Sequence, residues 1–151
     1  MTNKTLKFTS FAIVAMFSTV LGLKAADGDK PLYDRLGGQP AVEAVAGGLV
    51  DSILLDKRVN AWFAHTAASP ANTAAYKAKL FEFICQNTGG PCKYTGRDMV
   101  SAHTGRGVTS EAFDAVVQDL VAVLERLNVP VKEKGELLGI LGPLKTSIVQ
   151  H

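Results

Sequence analysis

The chain has 151 residues, 47% of them hydrophobic and 20% charged, with a formal net charge of +2. That length and composition call for one domain with a full apolar core, and they exclude a disordered chain, a collagen-like fibre and a disulfide-dense mini-scaffold. From Ala26 onward there are 13 basic and 14 acidic side chains, so no basic surface for nucleic acid is expected.

Residues 1–25 have the order of a secretory signal peptide. Lys4 and Lys7 precede an apolar run from Phe8 to Leu23, and Ala25 offers a small residue at a cleavage point. The run is shorter than the ~20 residues that comfortably span a bilayer. An uncleaved anchor is the competing reading, and it would be the chain's only link to a membrane. No cysteine follows for lipidation. Residues 26–30 read as a flexible segment and 31–151 as the domain. The expectation is an exported protein, periplasmic if its source is Gram-negative.

The rest carries helical periodicity and no alternation of period two, so the fold class is all-α. After Pro40, a plausible first helical residue, Val42, Val45, Leu49 and Ile53 fall on one face, widened by Ala46 and Val50. Gly47 and Gly48 inside this helix cost about 1 kcal/mol each against alanine, which a close helix crossing would explain. A short turn from Val59 to Phe63 leads into a polar, Ala-rich connection through Pro70. Tyr76, Leu80, Phe83 and Ile84 mark a second long helix, ended by Thr88-Gly89-Gly90-Pro91. A third follows Thr109-Ser110, with a stripe of Phe113, Val116, Val117, Leu120, Val121, Leu124 and Leu127. The last carries Leu137, Leu141, Leu144 and Ile148, bent at Pro143.

Between the second and third helices lies a segment that breaks this pattern, Tyr94-Thr95-Gly96-Arg97-Asp98-Met99-Val100-Ser101-Ala102-His103. Its helical part is barely two turns, too short to stand without something to pack against. Met99, Val100 and His103 are expected on one face, so His103 is a candidate ligand of a bound group or a hydrogen-bonded core residue. Cys85 and Cys92 flank the Gly-Gly-Pro turn. In an exported chain they favour a disulfide, with free structural thiols the alternative if the export reading fails.

Leu32-Tyr33-Asp34-Arg35-Leu36-Gly37-Gly38, Trp62-Phe63, Gly89-Gly90-Pro91, Tyr94-Thr95-Gly96-Arg97-Asp98-Met99 and His103, in that order, resemble the group I truncated haemoglobins. The likeness runs from about Pro31 to Ile148. It implies a two-over-two helical sandwich around haem b, with hinges at Gly37-Gly38 and Gly89-Gly90. Carried over by residue, His103 matches the proximal iron ligand and Phe63 the aromatic that wedges against the haem. Tyr94 and Lys79 match positions that contact the propionates, and Met99 and Phe113 line the proximal side. The chain has no Cys-x-x-Cys-His, so haem is expected to be held non-covalently.

The distal side departs from the family's polar pattern. The matching positions are Val50, Tyr76 and Leu80, assigned with extra residues in an Ala67–Asn72 loop. Only Tyr76 of the three donates a hydrogen bond. Dioxygen binding weaker and faster than in polar-pocket relatives is therefore expected. Lys79, His65 or Tyr76 could instead fill the sixth position.

The resemblance thus implies binding of dioxygen, nitric oxide or carbon monoxide at a His-ligated iron. Nitric oxide dioxygenase activity would need an outside electron donor, since the chain has no flavin or nicotinamide fingerprint. Alternatives are a haem-based redox or gas-sensing module acting through a partner, and a helical protein that kept the fold without haem.

Overall fold

A computed structural model describes residues 30–149. The export expectation for 1–25, and all of the 26–30 segment except Lys30, lie outside the described residues. Those residues form eight α-helices and two 3-10 turns, with no strand among them. None of the helices is long and apolar enough to cross a membrane.

Helix α1 (Leu32–Leu36) ends on Gly37, and α2 (Gly38–Leu55) starts at once. The start of α2 lies two residues ahead of Pro40. All six of its expected inward residues (Val42, Val45, Ala46, Leu49, Val50 and Ile53) are buried. A 3-10 turn (Asn60–Phe63) and α3 (Ala64–Ala67) follow. The Ala-rich connection is therefore mostly helical, contrary to the expectation of a loop over Ala67–Asn72. Only Ala68 and Ser69 separate α3 from α4 (Pro70–Asn87). Pro70 takes the first helical position, and the Ser69 side chain accepts from the Asn72 amide, so this helix starts with a pre-set φ and one orphan donor satisfied.

Helix α5 (Met99–His103) is followed by α6 (Ser110–Arg126), whose first turn is capped by the Thr109 side chain accepting from Ala112 N–H. The buried face of α6 is Ala112, Ala115, Leu120, Val123 and Leu124. Leu127 is 39% exposed, so the expected stripe stops one turn early. Helix α2 crosses α6 close by. A Cβ on Gly48 would lie 2.9 Å from Val123 Cγ1, whereas one on Gly47 would meet nothing within 4 Å. Gly48 alone answers the expected crossing. Helix α7 (Val131–Leu141) gives way to a 3-10 turn (Gly142–Leu144) and α8 (Lys145–Ile148), the break expected at Pro143.

Helix α2 packs on α4 in one layer and crosses α6, which contacts α7 in the other. Arg35 joins the ends of the domain. Its buried guanidinium donates to Glu133 at 2.7 Å and is bridged to Glu136, tying α1 to α7. Cys85 and Cys92 form a disulfide with Cα atoms 5.7 Å apart. Gly90 lies beneath it, where a Cβ would fall 2.6 Å from both Cys85 Sγ and Tyr33 Cδ2.

Candidate functional site

His103 ends α5, half-buried. The helix stands because Asp98 caps it: its carboxylate accepts from Ser101 N–H at 2.9 Å and from the Ser101 hydroxyl. The Ser101 hydrogen bonds hold the Asp98 carboxyl below its ordinary pKa, so the cap is ionised at neutral pH. The His103 ring sits with Nδ1 2.7 Å from the Met99 carbonyl. A carbonyl only accepts, so Nδ1 carries the proton of this contact, and Nε2 is the ring nitrogen left for another partner. No acceptor for this ring was identifiable from the residues alone. The acceptor is the backbone one helical turn back.

Val100 departs from expectation. It is 56% exposed, while Met99 and His103 are both partly buried. Residues four apart share a helix face and adjacent ones do not, so Met99 and His103 form the inward pair and Val100 turns to solvent. Behind α5 lies α8. Lys145 at the start of α8 places its ammonium 5.8 Å from the centroid of the Phe113 ring.

Phe63 closes the 3-10 turn and meets Tyr76 of α4 edge to face, with centroids 5.7 Å apart. Loss of solvent, reinforced by the Tyr94 charge and opposed by Arg106, pushes the Tyr76 phenol up to about 12. Leu80, one turn along α4, packs partly buried against the core, and Val50 is fully buried on α2. These are a flat aromatic, one hydroxyl and two groups that cannot hydrogen-bond.

Tyr94 and Lys79 flank the loop that leads to α5. The Tyr94 hydroxyl donates to the Arg97 carbonyl at 2.9 Å, and its ring meets Phe83 edge-on at 5.1 Å. Lys79 Nζ is paired with Glu82 at 2.9 Å and hydrogen-bonds the Thr95 hydroxyl. Lys79 and Thr95 together hold the Glu82 carboxyl below its usual pKa. Both expected propionate contacts thus have protein partners that an incoming carboxylate would have to replace. His65 is exposed on α3.

Among the described residues, no group of three or more His, Cys, Asp or Glu side chains could hold a metal ion. The donor set fits a planar metal-bearing cofactor better. It offers one oriented imidazole for the metal, aromatic and aliphatic groups for an apolar ring, and a phenol and an ammonium for carboxylates. Sequence reasoning missed Asp98 as a support of His103. An acidic residue three positions before Ser101 is the capping signal that could have found it.

Comparison with known proteins gives a match to the bacterial-like globin family over residues 31–150. A group 1 truncated hemoglobin of Mycolicibacterium paratuberculosis is 35% identical over 117 residues, spanning 78% of this chain and 82% of the relative. One from Synechocystis is 33% identical over 115 residues, 74% of this chain and 89% of the relative. Among solved structures, the Fe(III) truncated hemoglobin of Tetrahymena pyriformis superposes with a TM-score of 0.71 at 24% identity. It covers 81% of this chain and 100% of that one. The 2/2 hemoglobin of Synechococcus, in the cyanomet state with covalently attached heme, gives 0.70 at 31% identity, over 78% of this chain and 95% of its own.

Proposed function

Because the chain belongs to the bacterial-like globin family, we propose that it binds haem b through His103 and takes up dioxygen, nitric oxide or carbon monoxide there. When bound, haem would supply an iron that His103 would hold and that could bind a diatomic gas. The orientation of His103 carries this reading: Nδ1 is committed to the Met99 carbonyl, which leaves Nε2 for the metal. Phe63 offers a flat apolar face. Tyr76 donates the one distal hydrogen bond, while Val50 and Leu80 keep the pocket apolar. Dioxygen is then held weakly and released fast.

The Glu82 and Thr95 partners of Lys79 favour a sixth position left open over one closed by its amine. Tyr94 and Lys79 would exchange their present partners for propionates. No Cys-x-x-Cys-His occurs in the chain, which supports non-covalent haem. Conversion of nitric oxide and dioxygen to nitrate would consume one electron per turnover, drawn from an external donor. Export is part of the same proposal. The Cys85–Cys92 disulfide supports it, since such bonds persist in oxidising compartments. N-terminal sequencing of periplasmic material should begin after Ala25.

The test is a set of ferric, ferrous and carbon monoxide absorption spectra of the purified protein beside His103→Ala. Histidine-ligated spectra that are lost or altered in the variant are the expected result. A protein that rejects added haem would overturn the reading.

A further inference from the structure

Trp62 makes a contact that the function above leaves unused. It sits beside Phe63 in the 3-10 turn, and its indole Nε1–H donates to the Arg106 carbonyl at 3.0 Å, across 44 residues of chain. The Arg106 N–H in turn donates to the His103 carbonyl at 3.0 Å. The indole is thus bonded to the turn that closes α5.

Its own end is firm. Trp62 N–H donates to the Val59 carbonyl at 3.1 Å, and Val59 is fully buried in the core. The next residue, Phe63, bears on Tyr76. Helix α5 has five residues, too few to hold a fixed place by itself. Its N-terminal end is secured by Asp98, and the strut from Trp62 secures the end that carries His103.

We propose that Trp62 is a positioning residue for His103. Its N–H ties the 103–106 turn to the turn bearing Phe63, and so fixes His103 relative to the Phe63–Tyr76 pair. This rests on the reading of His103 as the iron ligand. The role needs the N–H and not only the ring, so a phenylalanine at this position would pack but would not hold the turn.

The test compares wild type, Trp62→Phe and His103→Gly. It reads the iron–histidine stretching band of the ferrous protein and the rate of haem transfer to excess apomyoglobin. Trp62 is the chain's single tryptophan. Growth on a tryptophan analogue with sulfur in place of the N–H therefore alters this position alone and keeps its shape, should Trp62→Phe fold poorly. The expected result in both forms is a shifted or broadened band and haem loss about fivefold faster, the factor that one neutral hydrogen bond carries. A band and rate equal to wild type in the analogue protein, with the band lost in His103→Gly, would overturn the role of Trp62 and leave the haem reading intact. A wild-type band retained in His103→Gly would place the iron elsewhere and overturn both.

Discussion

With its pKa pushed to about 12 by loss of solvent, the Tyr76 phenol keeps its proton at neutral pH and remains a donor. Tyr76→Phe removes that donor and leaves the ring against Phe63. Dioxygen release is expected to quicken about fivefold, read by stopped-flow, with haem retention unchanged. The wild-type release rate should stay flat between about pH 6 and pH 9, because the phenol does not titrate there. An off-rate equal in the two proteins would remove Tyr76 from the distal pocket. Asp119 behaves in the opposite sense to the paired carboxylates. Burial and the nearby Asp56 raise its pKa, Arg58 opposes them, and its Oδ2 is buried without a hydrogen-bond partner. The folded state therefore binds this proton more tightly than the unfolded one. The stability it adds is complete below the ordinary Asp range and is lost as pH rises through the raised folded pKa. Asp119→Asn is expected to be more stable than wild type to urea at pH 7, with the gain shrinking in acid. Nothing local in the sequence marks Asp119, because the groups that perturb it come from Asp56 and Arg58 in the turn after α2.

Helix α5 has few means of support, and each is identifiable. Asp98→Ala removes the side chain that accepts from Ser101, whereas Asp98→Asn keeps an acceptor in place. Faster haem loss in the alanine variant and near-wild-type loss in the asparagine variant are expected. Equal rates in all three would show that the cap does not position His103. Since the Asp98 pKa is depressed, its contribution is complete above the ordinary Asp range. It is lost only as pH falls through the lower folded value. Helix α6 was legible at its start, because Thr109 precedes acids and a periodic stripe, but that stripe overran its end at Leu127. Thr109→Ala should cost ~1 kcal/mol in denaturant unfolding. The short elements were legible only in part: the Val59–Phe63 turn and the short helix before His103 were expected, whereas α3 was not. Four-residue α3 has too few turns for a periodicity to emerge, and the Ala-rich run that looked like a loop is helical because Ser69 and Pro70 start α4 there. Val100 was misplaced for a related reason: in a five-residue helix one apolar residue more or less decides which face is read as inward.

At the scale of the whole chain, the ordered motifs fix the fold, while the pairings that close it are made between distant residues. Arg35 meets Glu133 and Glu136 about a hundred positions away, and Gly48 meets Val123. Neither pairing leaves a local pattern, so the crossing could be expected but not its partner. The Cys85–Cys92 bond was expected from the export reading, with free thiols as the alternative, and its consequence depends on where it sits. It closes a loop with a sequence separation of 7, for which the chain-entropy estimate is ~2.5 kcal/mol. It also fixes the chain two residues before Tyr94, whose N–H donates to Gln86 of α4 at 2.7 Å. Cys85 is fully buried and Cys92 only partly so, so a reductant meets the bond from the Cys92 side. Once reduced, the protein is expected to unfold at lower denaturant and to lose haem faster, with its gas-bound spectra unchanged, because His103 lies on α5 and Tyr76 sits more than two turns before Cys85 on α4. The paired variant Cys85→Ala/Cys92→Ala should show the same faster haem loss without reductant. A midpoint and a haem-loss rate that ignore reductant would mean that Gln86, Glu82 and Phe83 hold the Tyr94 loop by themselves.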